Sequence, residues 1–330
     1  MNSYVRSEKE NIPLQRYFLL IIFVCCIVKI WNTEQSENEL WIGSCFSFLY
    51  VKSFVYKLIT CILFCVNIFL MTIFLRQLLL ISRYNYHVSF LYMLLCFVFP
   101  QTLTLWGMIV GVFFITGIFL SLFNLTEINA QSRIFMYGIL CGLLSLIYMP
   151  CIFFLSFFYI VMVRENLYHL RLFVLPLAGV MLVYLYLFSG FYLFDRMDMI
   201  YDFQTNAQST INIALENMFM FLDSINTYFF LFVVTILLGL FALFSLLRKA
   251  RYEVVYKRKK YYLLLILLLS QSVFMLFFHI PCSIMVQVLI ILLSILICMS
   301  MLYAKRKRLY IIFYLILFGI SFYINFLQSC

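Results

Sequence analysis

Charge is scarce in this sequence, and acidic charge most of all. Only 13 of 330 residues are Asp or Glu against 23 Lys and Arg, and charged residues make up 11% of the chain. Soluble domains run near a quarter charged and half apolar. Here 66% of residues are hydrophobic, more apolar surface than one core can hide from water. Glycine and proline are also few, at ten and five. That excludes low-complexity linkers and leaves no pair of glycine-interrupted spans of the transporter kind. No Walker loop, HExxH, GxSxG or nucleotide-binding glycine run occurs, which removes the usual marks of kinases, zinc proteases and serine hydrolases. No acid falls near the middle of a long apolar run, so nothing marks a proton relay or ion path. The eleven cysteines lie mostly inside apolar runs without a CxxC spacing. They read as small apolar side chains rather than zinc or redox ligands.

What remains is apolar sequence in continuous blocks. Membrane strands alternate apolar and polar residues, whereas these blocks do not, so helices are expected. A span needs roughly 17–25 residues. The expected fold is all-α, a polytopic transmembrane helix bundle of about eleven spans: 17–31, 54–75, 86–99, 105–123, 134–149, 151–163, 172–193, 227–247, 261–278, 282–303 and 309–327. The first follows Arg6, Lys9 and Arg16 and runs into Lys29-Ile30-Trp31-Asn32 without a small-x-small site, so it reads as an uncleaved signal anchor. The blocks 134–149 and 151–163 meet at Pro150, which fits either a hairpin or one kinked helix. Gly107-x-x-x-Gly111 and Gly138-x-x-x-Gly142 read as helix-packing contacts.

Charge orients the bundle. With the N-terminus cytoplasmic and 134–163 folded as a hairpin, all 23 basic residues except Lys29, Lys52, Lys57 and Arg196 fall inside. That is the positive-inside pattern, and merging the hairpin would destroy it. The net charge of +10 then reflects topology and contact with anionic lipid, not nucleic-acid binding. Two larger external loops follow, residues 32–53 and 194–226. They carry Glu34, Glu37, Glu39, Asp195, Asp198, Asp202, Glu216 and Asp223. In the second, Ile211, Leu215, Met218, Phe219 and Leu222 recur at helical spacing, which predicts an amphipathic surface helix over 208–225. Leu40–Tyr50 is expected to lie similarly.

These loops hold the candidate site. A carboxylate at the outer surface suits a general base acting on an acceptor hydroxyl, and Glu34, Glu37 and Glu39 stand directly after the first span. Lys52, Lys57 and Arg196 are the cations placed to hold a lipid phosphate. Asp195 and Asp198 have a spacing that would accept a divalent cation, the one cofactor indicated. His279, beside Pro281 at the outer end of the ninth span, completes the set. The bland alternatives are a solvated acidic loop, an intraloop pairing of Arg196 with Asp195 or Asp198, and an interfacial histidine.

The order of features resembles the GT-C superfamily of membrane glycosyltransferases. A signal-anchor span precedes an acidic external loop, and a short helical pair surrounds Phe99-Pro100-Gln101. The segment from Gly138-Ile139-Leu140-Cys141-Gly142-Leu143 to Tyr148-Met149-Pro150 precedes a hairpin and is similar to that superfamily's "GLxxGLAxLxKxP" segment, with Ile147-Tyr148 where lysine is usual. The resemblance covers residues 1–195. Residues 196–226 form the second external loop and 227–330 the C-terminal spans. Residues 131–186 also resemble a bacterial family of multi-pass membrane proteins that carries no assigned activity. The superfamily resemblance implies a polyprenyl-phosphate-linked sugar donor, an acid of the first external loop as base, and a bacterial inner membrane location. Two other readings stand beside it. One is a non-enzymatic scaffold or assembly partner of another membrane protein in envelope biogenesis. The other is a transporter or lipid flippase, which would need Asn67, Gln77, Gln271 and Gln287 to line a watery cavity.

Overall fold

The computed structural model describes residues 12–32, 53–77, 87–119, 130–147, 151–152, 154–164, 169–195, 261–269 and 283–303, with isolated positions at 239, 240, 242, 244, 248, 258, 271, 318, 319 and 322. Every regular element among the described residues is helical. In chain order these are α1 (Ile12–Asn32), α2 (Ser53–Gln77), α3 (His87–Val98), α4 (Leu105–Phe113), α5 (Ala130–Ile147), α6 (Phe154–Arg164), α7 (Leu170–Leu193) and α8 (Ser283–Tyr303). A single 3₁₀ turn, Pro100–Thr102, links α3 to α4, and a π-helical segment, Phe114–Phe119, continues α4. Residues 261–269 are also helical. The expected amphipathic segments 40–50 and 208–225 lie outside the described residues.

Two stretches, Phe54–Ile73 and Leu170–Leu193, are long and apolar enough to cross a bilayer, each with mean hydropathy 2.2. Less than a third of either stretch is buried. On α7 the exposed side chains include Leu170, Val174, Leu177, Met181, Leu185 and Tyr186, and between Leu172 and Tyr186 every exposed side chain is apolar or aromatic. A soluble protein seldom leaves so broad an apolar face uncovered.

Side-chain contacts fix the directions of the first four helices. Trp31 meets Phe54, and Phe23 stacks near Phe64, so α1 and α2 run antiparallel. The Leu105 amide donates to the Tyr56 hydroxyl, and Gly111 faces Asn67, so α4 runs parallel to α2. Between them the chain reverses twice. Pro100 lacks an amide proton and keeps Phe99 out of the helical region (φ −116°, ψ 75°), which ends α3. The turn then satisfies itself: Thr102 N donates to Phe99 O, Leu103 N to Pro100 O, and Thr102 Oγ1 to Phe99 O. Thr104 restarts the helix by accepting from Gly107 N. Because Phe99, Thr102 and Leu103 are buried, this internal pairing is what an apolar surrounding requires.

Helices α5 and α7 make the most extensive pair. They run parallel, with Gly138 against Pro176, Gly142 against Val183, and Ser145 Oγ 3.0 Å from Tyr184 Oη. The backbones approach closely: a Cβ added at Gly179 would stand 2.7 Å from the Phe135 carbonyl oxygen. Gly138 and Gly142 are therefore packing glycines, as their spacing predicts. Pro176 costs α7 one internal hydrogen bond; Tyr159 Oη donates to the nearby Phe173 carbonyl at 3.1 Å. Parallel neighbours require the chain between them to travel back, so 134–163 is a hairpin and not one kinked helix. The return helix α6 is shorter than the expected span 151–163 suggests. Its 11 residues rise about 16 Å. Likewise the 12 residues of α3 rise about 18 Å, less than the ~30 Å of a hydrocarbon core.

Candidate functional site

The end of α1 and the start of α2 are clamped together. Trp31 and Phe54 pack edge to face with centroids 5.6 Å apart, and the Lys57 ammonium donates to the Trp31 carbonyl. That carbonyl lies in the last turn of α1, where the helix presents partial negative charge to a cation. The two helix ends that flank the stretch 33–52 therefore stand side by side. Glu34, Glu37, Glu39 and Lys52 belong to that stretch and lie outside the described residues. Lys57, expected to bind a lipid phosphate, is given a main-chain partner at the helix end. An ammonium has three donors, so the clamp leaves it capacity for an anion.

Asp195 ends α7. Its φ of 53° puts it in the left-handed region, its amide donates to Tyr192 O, and Phe194 N donates to Gly190 O. This is the left-handed helix terminator usually filled by glycine, which Asp tolerates better than most residues. The exposed carboxylate stands at the negative end of the helix. Arg196, Asp198 and His279 lie outside the described residues, so the geometry of the Asp195–Asp198 pair is not part of this site. No cluster of three His, Cys, Asp or Glu suited to a metal occurs among the described residues.

The interior holds a polar chain that the sequence reading did not assemble. Gln287 Nε2 on α8 donates to Tyr92 Oη on α3. Tyr92 Oη lies 3.8 Å from Met108 Sδ on α4. Asn67 Nδ2 on α2 donates to Met108 O at 3.0 Å and lies 3.5 Å from the same sulfur. Cys96 Sγ approaches Gln287 Oε1 at 4.0 Å, and Cys26 Sγ on α1 approaches Met93 O at 3.5 Å. Asn67, Tyr92, Cys96 and Gln287 are all fully buried. Five helices are thus joined by polar atoms in an apolar core, where an unmade hydrogen bond is expensive and a made one specifies register. The signal lay in α3, where Ser89, Tyr92 and Cys96 recur along one helical face. The partner Gln287, 195 residues further on, could not be read from that spacing.

The same contacts bear on the residues a transport path would need. Asn67, Gln271 and Gln287 are completely buried, and Asn67 and Gln287 are engaged with Met108 and Tyr92 rather than facing water. Gly111 serves this packing: a Cβ there would stand 3.0 Å from both amide heteroatoms of Asn67. No family model, curated protein or solved structure matches this chain.

Proposed function

We propose that this chain is a multi-pass membrane protein of about eleven spans that transfers a sugar from a polyprenyl phosphate on the outer face of a bacterial inner membrane, in the manner of the GT-C glycosyltransferases it resembles. The clamp of Trp31, Phe54 and Lys57 carries the reading. It ties the acid-bearing stretch 33–52 at both ends to one point beside a half-buried cation, and a loop anchored at both ends loses less entropy in presenting a catalytic group. The broad apolar face of α7 and the basic partition of the loops support the membrane setting. In the reaction, the acceptor hydroxyl oxygen attacks the anomeric carbon. The bond from that carbon to the phosphate oxygen breaks, and polyprenyl phosphate leaves. One of Glu34, Glu37 and Glu39 takes the hydroxyl proton, while Lys52, Lys57 and Arg196 hold the departing phosphate. Asp195 and Asp198 would hold a divalent cation that offsets phosphate charge, and His279 belongs to the same external side by its place in the sequence.

The test replaces Glu34, Glu37 and Glu39 singly by glutamine and compares glycolipid and glycan profiles of the cells. Loss of one product in one variant, with the protein still inserted at normal abundance, is the expected result. Unchanged profiles in all three leave the scaffold reading in its place. The packed state of Asn67 and Gln287 speaks against the transporter reading.

A further inference from the structure

We propose that the basic end of α7 seats an anionic phospholipid, its phosphate on Arg171 and His169 and an acyl chain along the apolar stripe that starts there. Leu170, Val174, Leu177 and Met181 recur three or four residues apart, so they form one continuous stripe along the helix. The rest of the chain leaves it uncovered: Leu170 is 82% exposed and Met181 76%. The 24 residues of α7 rise about 36 Å, more than the ~30 Å of a hydrocarbon core. Its terminal turns therefore reach the headgroup layers. Arg171, exposed in the first turn, stands where the stripe meets that layer. Its aliphatic stem can lie on the apolar surface while its guanidinium takes a phosphate in bidentate fashion.

Packing gathers positive charge at this end. The His169 carbonyl caps α7 by accepting from Leu172 N and Phe173 N, while its imidazole takes no part in the cap and is exposed. α5 runs parallel to α7 with Gly138 against Pro176. Arg133 and Arg171 precede those two residues by the same interval, so they stand level on neighbouring helices. Tyr159 of α6 stacks on Phe173 at 5.3 Å and donates to its carbonyl, which brings the end of α6, at Arg164, to the same place. Among the described residues the one acid, Asp195, stands at the opposite end of α7; Glu127 and Glu165 lie outside the described residues. Basic side chains at a membrane surface attract anionic lipid at about 1 kcal/mol each. A phosphate held at the foot of the stripe also lays its chains against apolar surface, which a free phosphate could not use. The inference rests on the membrane setting and orientation proposed above, not on the sugar transfer.

Native mass spectrometry of the full chain released from micelles counts bound lipid directly. With phosphatidylglycerol, Arg171→Gln is expected to weaken binding about fivefold. Arg248→Gln, which removes an exposed cation elsewhere on the basic side, should change it by less than about twofold, since a distant charge is screened. Neither should alter the weaker binding of phosphatidylcholine. Equal losses in the two variants mean a diffuse basic surface and overturn the proposal, as does unchanged binding in Arg171→Gln. Inorganic phosphate carries the charge without the chains and should not displace the lipid; displacement at equal concentration overturns the part assigned to the stripe. Both substituted side chains are exposed, so neither variant threatens the fold. The Glu34, Glu37 and Glu39 variants keep this seat whole, so the two proposals fail separately.

Discussion

The hydroxyl of Tyr137 donates to the main-chain carbonyl of Phe154, 17 residues along the chain, and its ring stacks on Phe158 with centroids 4.5 Å apart. In a continuous helix residues 17 apart would be separated by about 25 Å. The contact therefore pins α6 back onto α5, as the parallel α5–α7 pair requires. Tyr137→Phe keeps the stacking and removes the hydrogen bond. The expected cost is about 1 kcal/mol, read as a fall of the unfolding midpoint by a few degrees in detergent. Tyr137→Ala removes both ring and bond and should cost about 3–5 kcal/mol, as large aromatic truncations in cores do.

The α5–α7 seam makes a sharper prediction, because two glycines of similar surroundings in sequence have opposite surroundings in space. A Cβ at Gly138 would collide with the Pro176 carbonyl, which is backbone and cannot swing aside, while Gly190 has open space around it. Gly138→Ala is expected to separate the two helices and reduce the yield of folded protein. Gly190→Ala, in the same helical conformation, should raise stability by about 0.4–1 kcal/mol through the unfolded chain. Thermal unfolding of both variants checks the pair, and a stable Gly138→Ala would sink the close parallel packing.

How much of this could be read beforehand depends on the distance over which the deciding interaction acts. The bounds expected at 54–75, 172–193 and 282–303 coincide closely with the helices α2, α7 and α8, and the first two are long and apolar enough to cross a bilayer. The block at 105–123 becomes α4 and then the π-helical Phe114–Phe119, a change of hydrogen-bond pattern with no compositional mark. The ambiguity at Pro150 is of the same kind: apolar sequence on both sides looks alike whether the chain continues or folds back, and only Tyr137 meeting Phe154 decides. Of the candidate site residues, Lys57 and Asp195 fall among the described ones. Both have local structural partners that residue type did not foretell, one at the end of α1 and one at the end of α7.

The polar interior predicts strong asymmetry between partners. Gln287 and Tyr92 are both fully buried and bonded to each other. Tyr92→Phe leaves the Gln287 amide without its acceptor and should cost about 1–3 kcal/mol. Gln287→Met removes the donor and keeps most of the volume; Tyr92 Oη still faces Met108 Sδ, so the cost should be smaller. The combined variant should recover part of the loss, because replacing both partners by apolar groups removes the stranded polar atoms. Additive losses in a double-mutant cycle would mean that the two side chains are not coupled.

Asp195 allows stability and chemistry to be measured separately. Its left-handed backbone costs a residue with a Cβ about 1 kcal/mol relative to glycine, and its carboxylate faces the negative end of α7, a placement that costs several tenths more at low salt. Asp195→Gly should therefore stabilise the protein by about 1 kcal/mol, and Asp195→Asn by less, since asparagine removes the charge but keeps the Cβ. A residue kept only to end a helix would show that gain with no other change. A carboxylate that serves the proposed sugar transfer would show the same gain in the unfolding midpoint together with loss of the glycolipid product. If Asp195→Gly instead destabilises the chain, the carboxylate holds a structural partner and the cap assignment fails.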